Sequence, residues 1–384
     1  MGQVPTRSFQ MSDNVLLNVG FQDSGATSSD GLIPVRKLND RFGFVRGLFL
    51  LARQKVSWSP DVIAGEFWRL LTNIRTHREI LKLLKLRPFD EILQNNPGFA
   101  FKYVSPNYLA RGFTVAERAA CFLHHYKRLH ATFPEKVLRQ ILQRNVTLHE
   151  MSNGVSCVAW TMGSPEFIGR FEGELSLDLR LDHKKIFTLS FTIVPGCVLK
   201  LEGAEVLLIT HLQGTKGCSS EIKFLRKVFN ESSSRKLLLA ALQGIAGAFG
   251  INELAAVCAT NQTSYKNEHS ALFRNAYDDF FDDLGMVKTT AGFYSISIPI
   301  EDRPLTSSNR RNITQAEKRR AMRQNVQSTC AAFLLGAADR AAFSSSVTVN
   351  STQVQGTVEP RRGPTSSLTP DYDLTLYSDL QHPD

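Results

Sequence analysis

The stretch whose reading decides the fold runs from residue 205 to residue 300. It opens with Val206-Leu207-Leu208-Ile209, an apolar run that leads into His211-Leu212-Gln213-Gly214-Thr215-Lys216. Residues 237–249 form a long apolar segment that reads as a buried helix, and residues 254–259 read as a short strand. Ala276-Tyr277-Asp278-Asp279-Phe280-Phe281-Asp282-Asp283-Leu284-Gly285 reads as an aromatic helix. Phe293-Tyr294-Ser295-Ile296-Ser297-Ile298 then alternates at period two and closes the unit as a strand.

Working outward, the period changes to two from Leu148. Strands are expected over residues 155–161, 167–171, 175–181, 186–194 and 205–212, punctuated by Gly163-Ser164-Pro165, Asp182-His183 and Pro195-Gly196. Connections this short make neighbouring strands antiparallel, because a parallel crossover needs a dozen or more residues. Upstream, Leu48, Leu51 and Ala52, then Ile63, Phe67, Leu70, Leu71 and Ile74, recur at helical spacing, with a helix start at Ser59-Pro60-Asp61. Arg87-Pro88 and Asn96-Pro97-Gly98 break the pattern. A helix over 115–130 follows Thr114, which with Glu117 has capping-box spacing. Residues 219–229 read as a helical insert. Downstream, a helix over 312–343 is expected, with a capping box at Thr314 and Glu317. Its first half is basic (Lys318, Arg319, Arg320, Arg323), and Met322, Val326, Cys330, Phe333 and Leu334 form an apolar stripe. The expected organisation is a disordered segment over 1–40, a helical region over 41–147, an α+β core over 148–302, a basic helix over 303–343 and a disordered tail over 344–384. The fold class is α+β: a helical N-terminal region packed on a mainly antiparallel mixed sheet with helices on its faces.

The chain has 384 residues, 42% hydrophobic and 21% charged, which are ordinary globular values. A net charge of +9 favours anionic partners. The six cysteines form no Cys-x-x-Cys pair and stand in apolar surroundings, as free thiols of a reducing compartment do. His124, His125 and His130 share a helix, but adjacent histidines point about a hundred degrees apart and no carboxylate completes a pair, so no metal is expected. There is no secretory signal, the longest apolar run is too short to span a bilayer, and a cytoplasmic location is expected.

His125-Tyr126, Ile168-Gly169-Arg170-Phe171-Glu172-Gly173, Leu189-Ser190-Phe191, Leu212-Gln213-Gly214 and Tyr277-Asp278-Asp279-Phe280 occur in an order that resembles the bacterial VirK/YbjX family, a domain of unknown function. The basic run at 318–323 resembles that family's closing segment, and the likeness covers roughly residues 42–323. The chain departs from the family pattern in three places. Ser234-Arg235-Lys236 stands where a Leu-Arg-Pro turn is usual, Phe280 or Phe281 replaces a Trp, and Asn261-Gln262-Thr263-Ser264-Tyr265 lacks a His. The resemblance implies a role in envelope integrity, antimicrobial-peptide resistance or virulence, with no settled activity.

The order of elements is also similar to the GCN5-related acyltransferase fold. There, two neighbouring strands splay to admit an acyl thioester, and a helix amino terminus takes its phosphates. That likeness implies Ser234, Arg235 and Lys236 as the phosphate-binding set and an acyl-thioester or aminoacyl donor. The fold's own Arg/Gln-x-x-Gly-x-Gly/Ala signature is absent. Tyr277 is then the candidate general acid and His211, at a strand end, the candidate base. Against this stands core packing: Tyr277, Phe280, Phe281 and Leu284 lie at spacings of a core-facing stripe, with the four Asp on the wet side. Capping is the competing reading for the serines. The competing function is a non-catalytic adaptor that meets an envelope protein, an anionic membrane surface or nucleic acid through the basic C-terminal helix. An open splay between the strands at 207–212 and 254–259 would favour the transferase, and a filled core there the adaptor.

Overall fold

A computed structural model describes residue 68 and residues 71–152, 156–165, 171–302 and 310–349, with side chains as far as residue 338. The readings for residues 1–40, for Ser59-Pro60-Asp61, for most of a strand at 167–171 and for residues 350–384 lie outside the described residues.

The helical layer comprises α1 (Ile74–Leu84), α2 (Phe89–Asn95), a 3-10 segment (Pro97–Val104), α3 (Val115–Thr132) and α4 (Glu135–Gln143). The capping box that opens α3 is present: Glu117 N–H donates to Thr114 Oγ1 at 3.2 Å, and Thr114 N–H donates to Glu117 Oε2 at 2.7 Å. Two of the helix's free amino-terminal donors are thereby satisfied locally.

The sheet is built from β1 (Val146–Ser152), β2 (Cys157–Gly163), β3 (Leu175–Leu181), β4 (Lys184–Pro195), β5 (Glu205–Gly214), β6 (Glu253–Val257), β7 (Val287–Lys288) and β8 (Phe293–Ser297). Its order is β1-β2-β3-β4-β5-β6-β8-β7. The pairs from β1 to β5 are antiparallel, as the short connections require. Asp182 and His183 both have positive φ, which is the type I′ turn that matches the twist of a two-residue hairpin between β3 and β4. β5 and β6 are parallel. Between them the chain makes α5 (Ser219–Val228) and the long apolar α6 (Ser234–Phe249). After β6 come α7 (Ser270–Ala276) and α8 (Asp278–Asp283), and α9 (Arg310–Val349) closes the described chain.

The sheet is mixed, mostly antiparallel and open, with helices packed on it. α3 lies against β4 on the face that carries Ser190 and Thr192. The helix over 234–249 packs on β3 and β4 from the other face, and Phe229, just after α5, lies against the buried Trp160 of β2 with ring centroids 5.7 Å apart. α9 lies across α6 and reaches β1. The crossing needs Gly244: a Cβ there would stand 2.1 Å from the Gln327 carbonyl oxygen.

The structure corrects four expectations. The aromatic helix at 276–285 is broken at Tyr277, whose φ of −116° and ψ of −68° separate α7 from α8. β1 and the two-residue β7 had no strand reading of their own; β1 begins at Val146, where the apolar residues are sparse, and β7 is too short for periodicity to show. Thr314 and Glu317 form no capping box. The helix is already under way at Arg310, and Thr314 Oγ1 donates back to the Arg310 carbonyl at 3.1 Å. The same helix continues past the expected end at Phe343 to Val349.

Candidate functional site

The parallel pair is short. Leu207, Leu208 and Ile209 of β5 stand opposite Leu254, Ala255 and Ala256 of β6, and beyond Ile209 β5 continues to Gly214 while β6 ends at Val257. The parting coincides with an irregularity on the other side of β5. Phe191 of β4 faces Ile209, but the adjacent Ser190 faces His211, so Thr210 is an extra residue. A bulge of this kind bends its strand and re-aims the side chains that follow. Without it Ile209 and His211 would share a face. With it, His211 stands on the face of Ser190.

The segment before β3 crosses that face. Gly173 lies so close to it that a Cβ would meet Ser190 Cβ at 2.9 Å and Thr210 Oγ1 at 3.0 Å, and the Thr210 hydroxyl donates to the Glu172 carbonyl oxygen. Glu172 is thereby held over the bulge, and its Oε2 lies 2.8 Å from His211 Nδ1. Thr263 Oγ1 donates to Glu172 Oε1 at 3.2 Å, and Ser264 adds a further hydrogen bond. Burial raises the Glu172 pKa, but the hydrogen bond and charge of His211 and the two hydroxyls outweigh it. The carboxyl is held below its ordinary value, so it is an anion at neutral pH. Both partners are mostly buried but keep a solvent-facing edge, at 17% and 16% side-chain exposure. The loop that supplies Thr263 is fixed by Arg111, whose guanidinium donates to the carbonyls of Thr263 at 3.3 Å and Tyr265 at 2.6 Å. Gln262 closes the end of β6 by donating to Val257 at 3.0 Å.

Tyr277 joins this cluster. It is 4% exposed and hydrogen-bonds the Leu212 backbone, so it covers the stretch of β5 edge that β6 has left. Burial first, and then the charge of Glu172, push its pKa up; Leu212 and Arg235 act the other way. The hydroxyl keeps its proton. Phe280 and Phe281 are buried beside it, Asp279, Asp282 and Asp283 are exposed, and Asp278 accepts the Ala259 N–H at 2.8 Å. The core-facing stripe is therefore real, and Tyr277 carries its polar end to β5 at the same time.

The set at the start of α6 divides. Ser233 is the N-cap, accepting the Lys236 N–H at 3.3 Å. Ser234 is buried. Arg235 packs over the Phe280 ring and donates to the Ala276 carbonyl at 3.2 Å, and Lys236 is exposed. Arg235 thus reaches the Tyr277 joint, while Ser234 and Lys236 make no recorded contact with it. The histidines of α3 serve the scaffold. His124 Nε2 lies 2.9 Å from Glu205 Oε1, and the fully buried His125 accepts the Ile193 N–H at 3.1 Å, with burial holding its pKa well down. His149 is buried against Trp160. Among the described residues no cluster of three or more His, Cys, Asp or Glu side chains could hold a metal ion, and no helix is long and apolar enough to cross a membrane.

Two features escaped the sequence reading. Glu172 was part of a quoted motif but was given no role, because its partners are 39 and 91 positions away. Two residues on, Glu174 lies in a sealed pocket. Its Oε1 is 3.0 Å from Lys102 Nζ, with side-chain exposures of 0% and 9%, and the Tyr126 hydroxyl donates to its other oxygen. The available signal was two carboxylates two residues apart immediately before a strand, which places both on one face of an extended segment.

The family described as Protein of unknown function (DUF535) matches residues 67–332. No curated protein and no solved structure matches the chain.

Proposed function

The chain belongs to the DUF535 family, the family of VirK and YbjX, and on that premise we propose that the cluster at the parting of β5 and β6 is the proton-transfer site of an acyl- or aminoacyl-transferring enzyme. The observation that carries this reading is the 2.8 Å pair between His211 Nδ1 and Glu172 on the bulged strand. A carboxylate at Nδ1 fixes the tautomer and orientation of the ring, so that Nε2 holds the lone pair of a general base. Tyr277, protonated and within the field of Glu172, is the complementary acid. In the transfer, Nε2 of His211 takes the proton of the acceptor's nucleophile, which bonds to the acyl carbon. The bond from that carbon to the donor's sulfur or oxygen breaks, and the leaving group takes a proton from Tyr277. The carboxyl ends of parallel strands and the start of the intervening helix are where α/β folds place ligands. Arg235 and Lys236 stand at that helix start to meet an anionic donor, with Ser234 beside them. An envelope or virulence setting, which the family resemblance implies, is the physiological context this reading carries.

The test is a thermal-shift series on the full chain with acyl-thioester cofactors, nucleotides, transfer RNA and anionic vesicles, followed by an assay of thiol release. A ligand that binds only the folded state raises the melting temperature. Stabilisation by a thioester that is lost in Lys236→Ala and Arg235→Ala, with turnover lost by roughly 10²-fold or more in His211→Gln and Glu172→Gln, is the expected result. No thermal shift and no thiol release with any thioester or aminoacyl donor would refute the transferase reading. A shift with vesicles alone would support the adaptor.

A further inference from the structure

On α1 and just before it, far in sequence from His211, large apolar side chains and cations are exposed near one another in the chain. Arg75, Arg78 and Lys82 follow one another on α1 at steps of three and four and share one face of it, and Trp68 and Leu71 precede the turn at Asn73 that opens the helix. Trp68 is 68% exposed and Leu71 38%, and the three cations are exposed too. The opposite side of α1, with His77, Ile80, Leu83 and Leu84, is buried. Leu86, 44% exposed, lies just past the helix end. Beside it a shallow concavity of about 420 Å³ is lined by Glu79, Lys82, Leu83, Leu86, Lys127 and His130. Glu79 is the carboxylate of this surface, set against Arg75, Arg78, Lys82 and Lys127.

We propose that this face docks the protein on an anionic lipid bilayer. An indole ring sits well at the headgroup level, leucines enter the acyl boundary, and Arg and Lys meet the lipid phosphates. Exposed apolar and basic side chains side by side, as Leu86, Lys82 and Lys127 are around the concavity, fit such a layered medium. A nucleic-acid strand would use the cations, but it has no layer for Leu71 and Leu86 to enter. The basic start of α9 is less suited, because Arg320 and Arg323 both pair with Asp302.

The experiment is co-sedimentation of the full chain with phosphatidylcholine vesicles and with vesicles of phosphatidylcholine and phosphatidylglycerol. The protein is expected to bind the mixed vesicles, more weakly as salt rises, and not the neutral ones. Each cation near an anionic surface contributes roughly a fivefold factor, so Arg75→Glu combined with Arg78→Glu should weaken binding by about 25-fold or more. Trp68→Ala should weaken it several-fold and abolish the blue shift of tryptophan emission, at an unchanged melting temperature. Lys318→Glu combined with Arg319→Glu should leave binding intact. The proposal falls if the protein ignores mixed vesicles, if binding survives charge reversal at 75 and 78, or if reversal at 318 and 319 abolishes it. It also falls if duplex DNA at the same salt binds this face and displaces the vesicles.

Discussion

Glu172 and Glu174 leave the same extended segment two residues apart, and their surroundings differ in every respect that matters for chemistry. Glu174 is sealed. Its side chain is fully buried, Lys102 lies 3.0 Å from one oxygen, and the Tyr126 hydroxyl donates to the other. Glu172 is mostly buried with a solvent-facing edge, paired with a histidine rather than a lysine, and hydrogen-bonded by side chains of a loop. Lys102 comes from the 3-10 segment and is itself buried, so the first pair ties the helical layer to the sheet. The second pair keeps a solvent-facing edge and holds an imidazole, the side-chain type that exchanges protons near neutral pH, and it is on this pair that the proposed proton transfer rests. A bare inventory of buried charges would have ranked them the other way round.

The sharpest way to break this comparison is to remove each carboxylate in turn. Glu174→Ala leaves a buried ammonium without its partner and should cost about 3–5 kcal/mol in chemical denaturation. Glu172→Gln keeps the shape of the side chain and leaves no stranded ammonium, so it should cost less, about 1–2 kcal/mol. Equal losses would show that the two sites are one structural network.

The histidines repeat the contrast and predict a pH dependence. His77 is fully buried beside the Tyr103 hydroxyl at 3.2 Å, and burial lowers its pKa to about 4. Between the ordinary histidine range and pH 4 the unfolded chain binds a proton that the folded chain refuses. Stability should therefore fall as pH drops through that window, by up to about 3 kcal/mol, and the fall should level off below it. His77→Phe should shrink this acid limb, measured by urea melts across the pH range. An unchanged limb in His77→Phe would mean that His77 is not held neutral by burial.

A smaller effect sharpens the comparison from between the two carboxylates. Gly173→Ala puts a methyl group 2.9 Å from Ser190 Cβ and 3.1 Å from the Phe191 nitrogen, so the segment must lift off the sheet. A loss of about 1–3 kcal/mol is expected. Because both carboxylates ride on this segment, the variant should also disturb the His211 resonance in an NMR titration. A stability loss with His211 unmoved would show that Glu172 is not positioned through Gly173.

Much of the architecture was legible in local pattern. The strand at 175–181 and the turn at Asp182-His183 follow from alternation and turn chemistry, and the capping box at Thr114 follows from a three-residue spacing. The antiparallel order up to β5 follows from short connections. Each of these signals is complete within a few residues of itself. The break at Tyr277 was not legible, because the same aromatic spacing suits a continuous helix and a broken one. Packing against β5 decides between them. The Thr314 reading failed for a related reason: the spacing of a capping box carries no record of where the helix begins.

The sequence by itself determined which segments are strands and helices, which stripes are apolar, and which of its residues could move a proton; His211 and Tyr277 were visible as candidates from their places in those elements. Only the tertiary structure decided that Glu172 pairs with His211, that Tyr277 reaches the backbone of the next residue of the same strand, and that Glu174 is buried with Lys102 instead. Secondary structure arises from contacts between near neighbours, so its signals lie in adjacent residues. The site depends on one extra residue in β5, on the end of pairing with β6, and on a glycine contact across the sheet. These join positions from 172 to 277, and no local period records that distance.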